Sequence, residues 1–126
     1  MRRVVFVIIV IGLLATFLLA GSDSMSGQWL LKNDYKLDGV LSPTETQTVE
    51  LNSHHDMFSG HYVGIDNDSD FRGNVHTARK TSVITITITD QDYYWVLCGK
   101  KVGNNRFVGT WYDVEGQSGD FELIKR

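Results

Sequence analysis

The clearest pattern in the chain is a strict alternation of apolar and polar residues from Ser82 to Thr89. Ile84, Ile86 and Ile88 occupy one side of this segment, and threonines stand between and after them. Side chains of a β-strand alternate between two faces, so the pattern predicts a strand with one buried face. After the first 22 residues there is no long apolar period of 3.6, which argues against helix.

A second pattern places a glycine between two large residues at alternate positions. It occurs from Phe58 to Tyr62 and from Phe107 to Trp111, and more weakly from Phe71 to Val75. In a strand, the three residues of each copy share one face. A glycine there lets a curved strand bend and lets a neighbour pack close. The repeat therefore predicts a small, strongly curved antiparallel sheet.

Turn-forming residues punctuate the chain at short, regular intervals, and the segments between them are rich in Val, Ile, Thr, Tyr, Phe and Trp. This spacing is typical of an all-β sandwich or barrel. We predict an all-β fold, an antiparallel up-and-down barrel of about eight strands, because short links favour pairing between neighbours in sequence. A two-sheet β-sandwich is the alternative, although no long segment is evident that could cross between two sheets.

The first 22 residues have the character of a targeting segment. Arg2 and Arg3 precede an unbroken apolar stretch from Val4 to Ala20, and small residues follow it. This order predicts a secretory signal peptide cleaved before Asp23, with an uncleaved membrane anchor as the alternative. In both cases residues 23–126 form one exported domain, which is periplasmic, secreted or anchored outside the cytoplasm.

Charge and cysteine content narrow the class of protein. Residues 23–126 hold all 15 acidic residues and all basic residues except Arg2 and Arg3, which gives a net charge of −5. An acidic balance without a basic stripe argues against nucleic acid as a partner. Cys98 is the only cysteine, so no intramolecular disulfide can form, and its apolar surroundings predict a small buried residue.

Residues 58–64 (Phe-Ser-Gly-His-Tyr-Val-Gly) and 109–113 (Gly-Thr-Trp-Tyr-Asp) resemble strand segments of the avidins, small barrels that bind biotin. More broadly they resemble the calycin group, which includes the lipocalins. The resemblance implies an exported barrel of about eight antiparallel strands. Asp113 stands where the avidin pattern has an asparagine that contacts the ligand, so biotin binding is not carried over.

A second resemblance begins at residues 26–29 (Ser-Gly-Gln-Trp), which are similar to the opening of small periplasmic β-barrel inhibitors of secreted metalloproteases. In those inhibitors the tail before the barrel plugs the protease cleft. The resemblance implies that the corresponding tail here would run from Asp23 to Met25.

Two polar clusters could suggest metal binding. His54, His55 and His61 fall close together, but zinc needs converging imidazoles and neighbouring strand residues point to opposite faces. We expect a polar loop and one outward histidine there. The segment from Asp66 to Asp70 resembles the start of a calcium loop but lacks the glycine and glutamate of an EF-hand. We expect an acidic turn at that segment and no bound metal.

No set of nucleophile, base and orienting group is evident, and there is no Gly-x-Ser-x-Gly elbow. Asp90 and Asp92 are expected to be solvated in a turn. We therefore expect a non-enzymatic protein with no catalytic residues and no cofactor. A metal-dependent enzyme that uses His54 and His55 is the remaining alternative in this class.

The aromatic residues carry the main binding hypothesis. Trp29, Tyr62, Trp95 and Trp111 lie on separate predicted strands. If they converge at a barrel mouth, they form a flat-walled pocket for a small apolar or amphipathic ligand. The alternative is that they fill the interior and leave no cavity.

Tyr94 is expected on the outer face, where it would point to a protein or ligand contact. The expected partner is thus a small molecule, or alternatively an envelope protein. Membrane contact would come through the N-terminal segment if that segment is uncleaved.

Overall fold

The computed structural model describes residues 24–34, 36–37, 40–41, 45–64 and 68–126. The predicted signal or anchor, residues 1–22, lies outside them. The strands are β1 (Gly27–Asn33), β2 (Lys36–Leu37), β3 (Val40–Leu41), β4 (Glu45–His54), β5 (Met57–Tyr62), β6 (Asp70–Ala78), β7 (Thr81–Asp90), β8 (Tyr93–Lys101), β9 (Arg106–Asp113) and β10 (Ser118–Lys125). The described residues include no helix long and apolar enough to cross a membrane.

Eight of these strands close into one antiparallel barrel. They pair in the order β1-β10-β9-β8-β7-β6-β5-β4, and β4 pairs back with β1. The short strands β2 and β3 form a separate two-stranded sheet in the connection from β1 to β4. The predicted all-β up-and-down barrel is therefore confirmed. The sandwich alternative is excluded, because a single sheet closes on itself.

Alternation along each strand builds the interior. In β7, Ile84, Ile86 and Ile88 are at most 1% exposed, while Thr85 and Thr87 lie on the other face. Other barrel strands contribute inward apolar residues in the same way, among them Leu31, Leu51, Phe58, Phe71, Leu97, Phe107, Phe121 and Leu123. Each such side chain stabilises the fold by about 1.5–3 kcal/mol through its removal from water.

Two inward glycines show why the strands can approach so closely. A Cβ at Gly73 would collide with the ring of Phe58, and a Cβ at Gly109 would collide with the backbone of Cys98 and Gly99. Gly73 therefore leaves room for an aromatic ring, and Gly109 allows β8 and β9 to pack tightly at that point. These contacts agree with the interpretation of the spaced glycines as positions of close packing.

The barrel has two different ends. The end that we call the Met25 end comprises residues 24–26 and the turns at 55–56, 79–80 and 102–105. The opposite end, which we call the cavity end, comprises the connecting residues 63–64, 68–69, 91–92 and 114–117 together with the end of β1 and the start of β4.

Met25 covers the barrel at the first of these ends. Its side chain is only 3% exposed and belongs to the core. Its backbone N–H donates to Ser53 Oγ at 2.7 Å, and its carbonyl accepts a hydrogen bond from Trp29 Nε1 at 2.9 Å. The last residue of the segment predicted as an inhibitory tail is thus packed into the barrel.

Cys98 differs from the sequence expectation, because its side chain is exposed and not buried. Leu97 points inward and is fully buried, so the next residue of β8 must point outward. An apolar neighbourhood in sequence does not reveal which of two adjacent residues takes the inner face. The same alternation places Tyr94 on the outer face, where it is 41% exposed, as predicted.

Candidate functional site

A cavity of about 500 Å³ opens at the cavity end of the barrel. Its volume falls within the range of small-molecule sites in proteins. The apolar and aromatic part of its lining comes from four strands and consists of Tyr62, Ile88, Tyr93, Trp95 and Trp111. Below it, the interior is filled by core side chains. The barrel therefore combines a packed interior with a pocket at one end.

Ring-to-ring packing holds the aromatic wall in place. Trp95 and Trp111 meet edge to face, with ring centroids 5.5 Å apart and planes at 87°. Tyr62 meets Phe71 in the same manner at 4.8 Å. Such pairs contribute roughly 0.5–1.5 kcal/mol beyond area burial. Packing of this kind restricts the rings before any ligand arrives.

Trp111 is also fixed by a hydrogen bond to the connection that follows β1. Its Nε1–H donates to the carbonyl of Asp34 at 2.7 Å, and the Asp34 carboxylate accepts the N–H of Asp120 at 2.9 Å. The indole is therefore satisfied through its N–H and presents only its ring to the cavity.

A polar rim completes the site. The polar side chains that line the cavity are amides, a hydroxyl and two carboxylates, from Asn33, Glu45, Gln47, Ser69, Asp90 and Gln117. Glu45 and Gln47 share the inward face of β4 with Val49 and Leu51, and the inward face of β7 ends in Asp90. The inward face thus changes from apolar to polar as these strands reach the cavity end.

Asp113 supports the rim from behind. It is 5% exposed, and its carboxylate accepts hydrogen bonds from the Tyr93 hydroxyl at 2.8 Å and from the N–H groups of Glu115 and Gln117 at 3.0 and 2.7 Å. Hydrogen bonds to a charged acceptor are among the stronger ones in proteins. Asp113 therefore orders the connection between β9 and β10, which places Gln117 at the cavity.

The site keeps its tyrosines protonated. Burial, followed by the charges of Glu45 and Asp90, raises the pKa of Tyr62 to about 12. Burial and the hydrogen bond to Asp113 raise the pKa of Tyr93 as well. Both effects disfavour the phenolate form. At neutral pH the cavity presents two neutral phenols and two carboxyl groups.

The structure brings together three of the four residues predicted to bind a ligand. Tyr62, Trp95 and Trp111 line one cavity. Trp29 lies at the Met25 end, 2% exposed, with its ring 6.0 Å from that of Phe107 and beneath the Lys125 ammonium at 5.7 Å. Trp29 belongs to the packed core. This residue therefore follows the alternative stated for the aromatic residues, in which they fill the barrel interior.

The polar rim was not among the predicted site residues, although the sequence carries a signal for it. Positions 45, 47 and 90 continue the inward series of β4 and β7 with polar residues where apolar ones would be expected. Asp90 was expected to be solvated in a turn. It is instead the last residue of β7 and is half-buried in the lining. It points inward because it lies two residues after Ile88 on the inward face of the strand.

The histidines lie elsewhere. His54 ends β4, His55 lies in the turn at the Met25 end, and His61 faces outward on β5; all three are exposed. The described residues contain no group of three or more side chains able to hold a metal ion. The predicted acidic turn from Asp66 to Asp70 lies partly outside the described residues.

No model of a known protein family matches this chain. A search of curated proteins also finds no match. The eight-stranded closed barrel is consistent with the small-barrel architecture implied by the resemblance to avidins and calycins, and the agreement is one of fold.

Proposed function

We propose that this chain is an exported, non-enzymatic protein that binds a small apolar or amphipathic molecule in the cavity end of its barrel. The observation that carries the proposal is the cavity of about 500 Å³ walled by Tyr62, Trp95 and Trp111. Flat aromatic walls with a few convergent polar groups are the common composition of small-molecule sites.

The packing of the site supports this proposal. The edge-to-face contact of Trp95 with Trp111 and the hydrogen bond from Trp111 to Asp34 hold the walls in place. A preorganised wall lowers the entropy that binding must otherwise cost. The buried carboxylate of Asp113 has the same effect on the connection that carries Gln117.

Tryptophan fluorescence of the full chain tests the proposal directly. In Trp29→Phe, emission comes only from Trp95 and Trp111, so a ligand that enters the cavity should shift or quench it. In the matched double variant Trp95→Phe/Trp111→Phe, only Trp29 emits, and the same ligand should leave the spectrum unchanged. A broad panel of small molecules that neither shifts the first variant nor gives heat in calorimetry would overturn the proposal.

A protein-interaction function is the second candidate, and one surface favours it. Tyr94, Tyr112 and Val114 are 41%, 54% and 45% exposed on the outer face of β8 and β9 and just beyond β9, and the Val114 N–H donates to the Tyr94 carbonyl at 3.0 Å. Exposed apolar groups that lie together are typical of contact surfaces. Loss of partner capture on Tyr112→Ser, with ligand response retained, would support it.

A further inference from the structure

We infer that the ligand of this cavity is a cation, an amine or quaternary ammonium group carried on a flat apolar body. The inference rests on the proposed function and names the chemistry that the site would select. Three observations carry it: the aromatic wall, the sign of the charges in the lining, and the distribution of charge between the two ends of the barrel.

The lining contains two carboxylates and no basic side chain among the residues described. Glu45 and Asp90 stand on β4 and β7, with Tyr62 on β5 between them in the barrel order. Neither carboxylate forms an ion pair within the described part of the chain. Both act on the Tyr62 hydroxyl, whose pKa rises in response to burial and to their charges. A positive group near that hydroxyl would meet negative potential from both carboxylates.

The aromatic wall adds an attraction of the same sign. Tryptophan and tyrosine faces carry negative quadrupole density and attract cations within about 6 Å of the ring centroid. Tyr62 pairs with Val49, which lies further into the barrel than Glu45, and Trp95 pairs with Ile88, which lies further in than Asp90. Trp111 packs against Trp95, so the three rings lie deeper along the strands than the two carboxylates. An ammonium group between the rings and the carboxylates would interact favourably with both, whereas an anion would be repelled by both.

The charges outside the cavity have the same bias. The described connecting residues at the cavity end carry four carboxylates, from Asp34, Asp68, Asp92 and Glu115, against one basic residue, Lys36 of β2. The turns at the Met25 end contain two basic residues, Arg79 and Lys80, against one acidic residue, Asp56. Charges of one sign around a cleft raise the local concentration of the opposite ion. A cation is therefore drawn toward the cavity end.

A charge series on one aromatic body tests the inference: 2-phenylethylammonium, 2-phenylethanol and phenylacetate. Binding to the full chain carrying Trp29→Phe is followed by fluorescence. We expect the ammonium to bind roughly tenfold more tightly than the alcohol, and phenylacetate to bind most weakly. Added salt should weaken binding of the ammonium and leave the alcohol unaffected.

Charge-removing variants locate the effect. Glu45→Gln and Asp90→Asn should each weaken ammonium binding by about three- to tenfold and change 2-phenylethanol binding by a clearly smaller factor, because the alcohol carries no charge. Asp92→Asn and Glu115→Gln remove exposed carboxylates outside the lining, and they should change ammonium affinity by less than about twofold. Retained alcohol binding shows that each variant is folded.

Two outcomes separate this inference from the proposed function. If the alcohol or phenylacetate binds as tightly as the ammonium, the cation inference is wrong and the cavity remains a binding site. If no member of the series and no member of a broader panel binds, both proposals fall.

Discussion

The two ends of the barrel are made from the same strands, yet their inward positions hold different residues. At the Met25 end, Trp29 and Met25 are at most 3% exposed, and the Trp29 Nε1–H donates a hydrogen bond to the Met25 carbonyl. At the cavity end, the series of inward residues finishes in Asn33, Glu45 and Asp90. One alternating pattern can therefore build both a packed core and a pocket. Which of the two forms at an end of the barrel depends on the residues at the last inward positions of the strands.

The two ends also differ in packing: the Met25 end is filled, whereas the cavity end leaves space that a ligand could reach. Filled interiors gain from burial of every ring, whereas a cavity leaves part of each wall without packing partners. The cavity end compensates with hydrogen bonds, above all those accepted by Asp113 and by the Asp34 carbonyl. These bonds hold the walls in position where apolar packing is incomplete.

The largest expected change in the free energy of unfolding comes from replacing a tryptophan at each end of the barrel. Trp29→Ala should lower the free energy of unfolding by about 3–5 kcal/mol, because a fully packed ring and its hydrogen bond are lost. Trp95→Ala should cost roughly half as much, since Trp95 is only partly buried. Urea unfolding measures both. Equal losses would show that the two ends are packed alike.

The next effect concerns the hydrogen bonds behind the cavity rim. Asp113→Ala should lower the free energy of unfolding by about 2–3 kcal/mol, because three donors lose their acceptor. Asp113→Asn should cost less, since an amide oxygen still accepts. The exposed Asp92 provides the control, and Asp92→Ala should stay within about 0.5 kcal/mol of the parent. A similar small change in Asp113→Ala would remove the supporting role assigned to this carboxylate.

The third prediction concerns the protonation of Tyr62. Its pKa in the fold is about 12, against an ordinary value of 10.0. Because the folded value is the higher one, the resulting stability is present below pH 10.0 and is lost as the pH rises toward 12. Ultraviolet titration of tyrosinate should show a late step that disappears in Tyr62→Phe.

The charge contribution to that titration is separable from burial. Glu45→Gln should lower the pKa of Tyr62 toward its ordinary value, whereas Glu50→Gln, on the outward face of β4, should leave it unchanged. An unaltered titration in Glu45→Gln would mean that the Glu45 charge does not act on the phenol, and it would weaken the electrostatic account of the cavity.

The smallest expected change in the free energy of unfolding concerns two surface ion pairs. Arg106 and Glu122 lie 2.7 Å apart near the Met25 end, and Arg72 and Asp70 lie 2.9 Å apart near the cavity end but are more exposed. Arg106→Met should cost about 0.5–1 kcal/mol, and Arg72→Met close to nothing.

The pH dependence of the first pair gives a further check. The hydrogen bond from Arg106 lowers the pKa of Glu122 below 4.5, so its stabilisation is present above that pH and lost as the pH falls. Arg106→Met should therefore reduce stability at neutral pH and have little effect in strong acid. A loss that is independent of pH would point to packing of the Arg106 stem instead.

Much of the fold was predictable because alternation in a strand is a local property. The isoleucines of β7, the shared face of Phe58 with Tyr62, and the outward position of Tyr94 all followed from neighbouring residues. The prediction that Cys98 is buried was wrong, because the apolar residues around it in sequence are compatible with either face of the strand. Its orientation depended on Leu97 taking the inner position, which the paired strands decide.

The site was predictable only in part. Alternation states which face of a strand a residue occupies, but not how far along the barrel axis it lies. Trp29 shares the inner face with Trp95 and Trp111, yet it stands near the start of β1 at the Met25 end, while the other two stand near the cavity end. Height along the axis depends on strand direction and register across the whole sheet.

The sequence by itself therefore determined the all-β antiparallel class and the inner face of strands with a clear alternation such as β7, since these depend on side-chain alternation and short connections. Only the tertiary structure decided which aromatic residues surround empty space and which are packed, and it alone brought Glu45 and Asp90 to one cavity. The physical reason is that closing a sheet joins strands distant in sequence, and their registers fix which inward residues share a level.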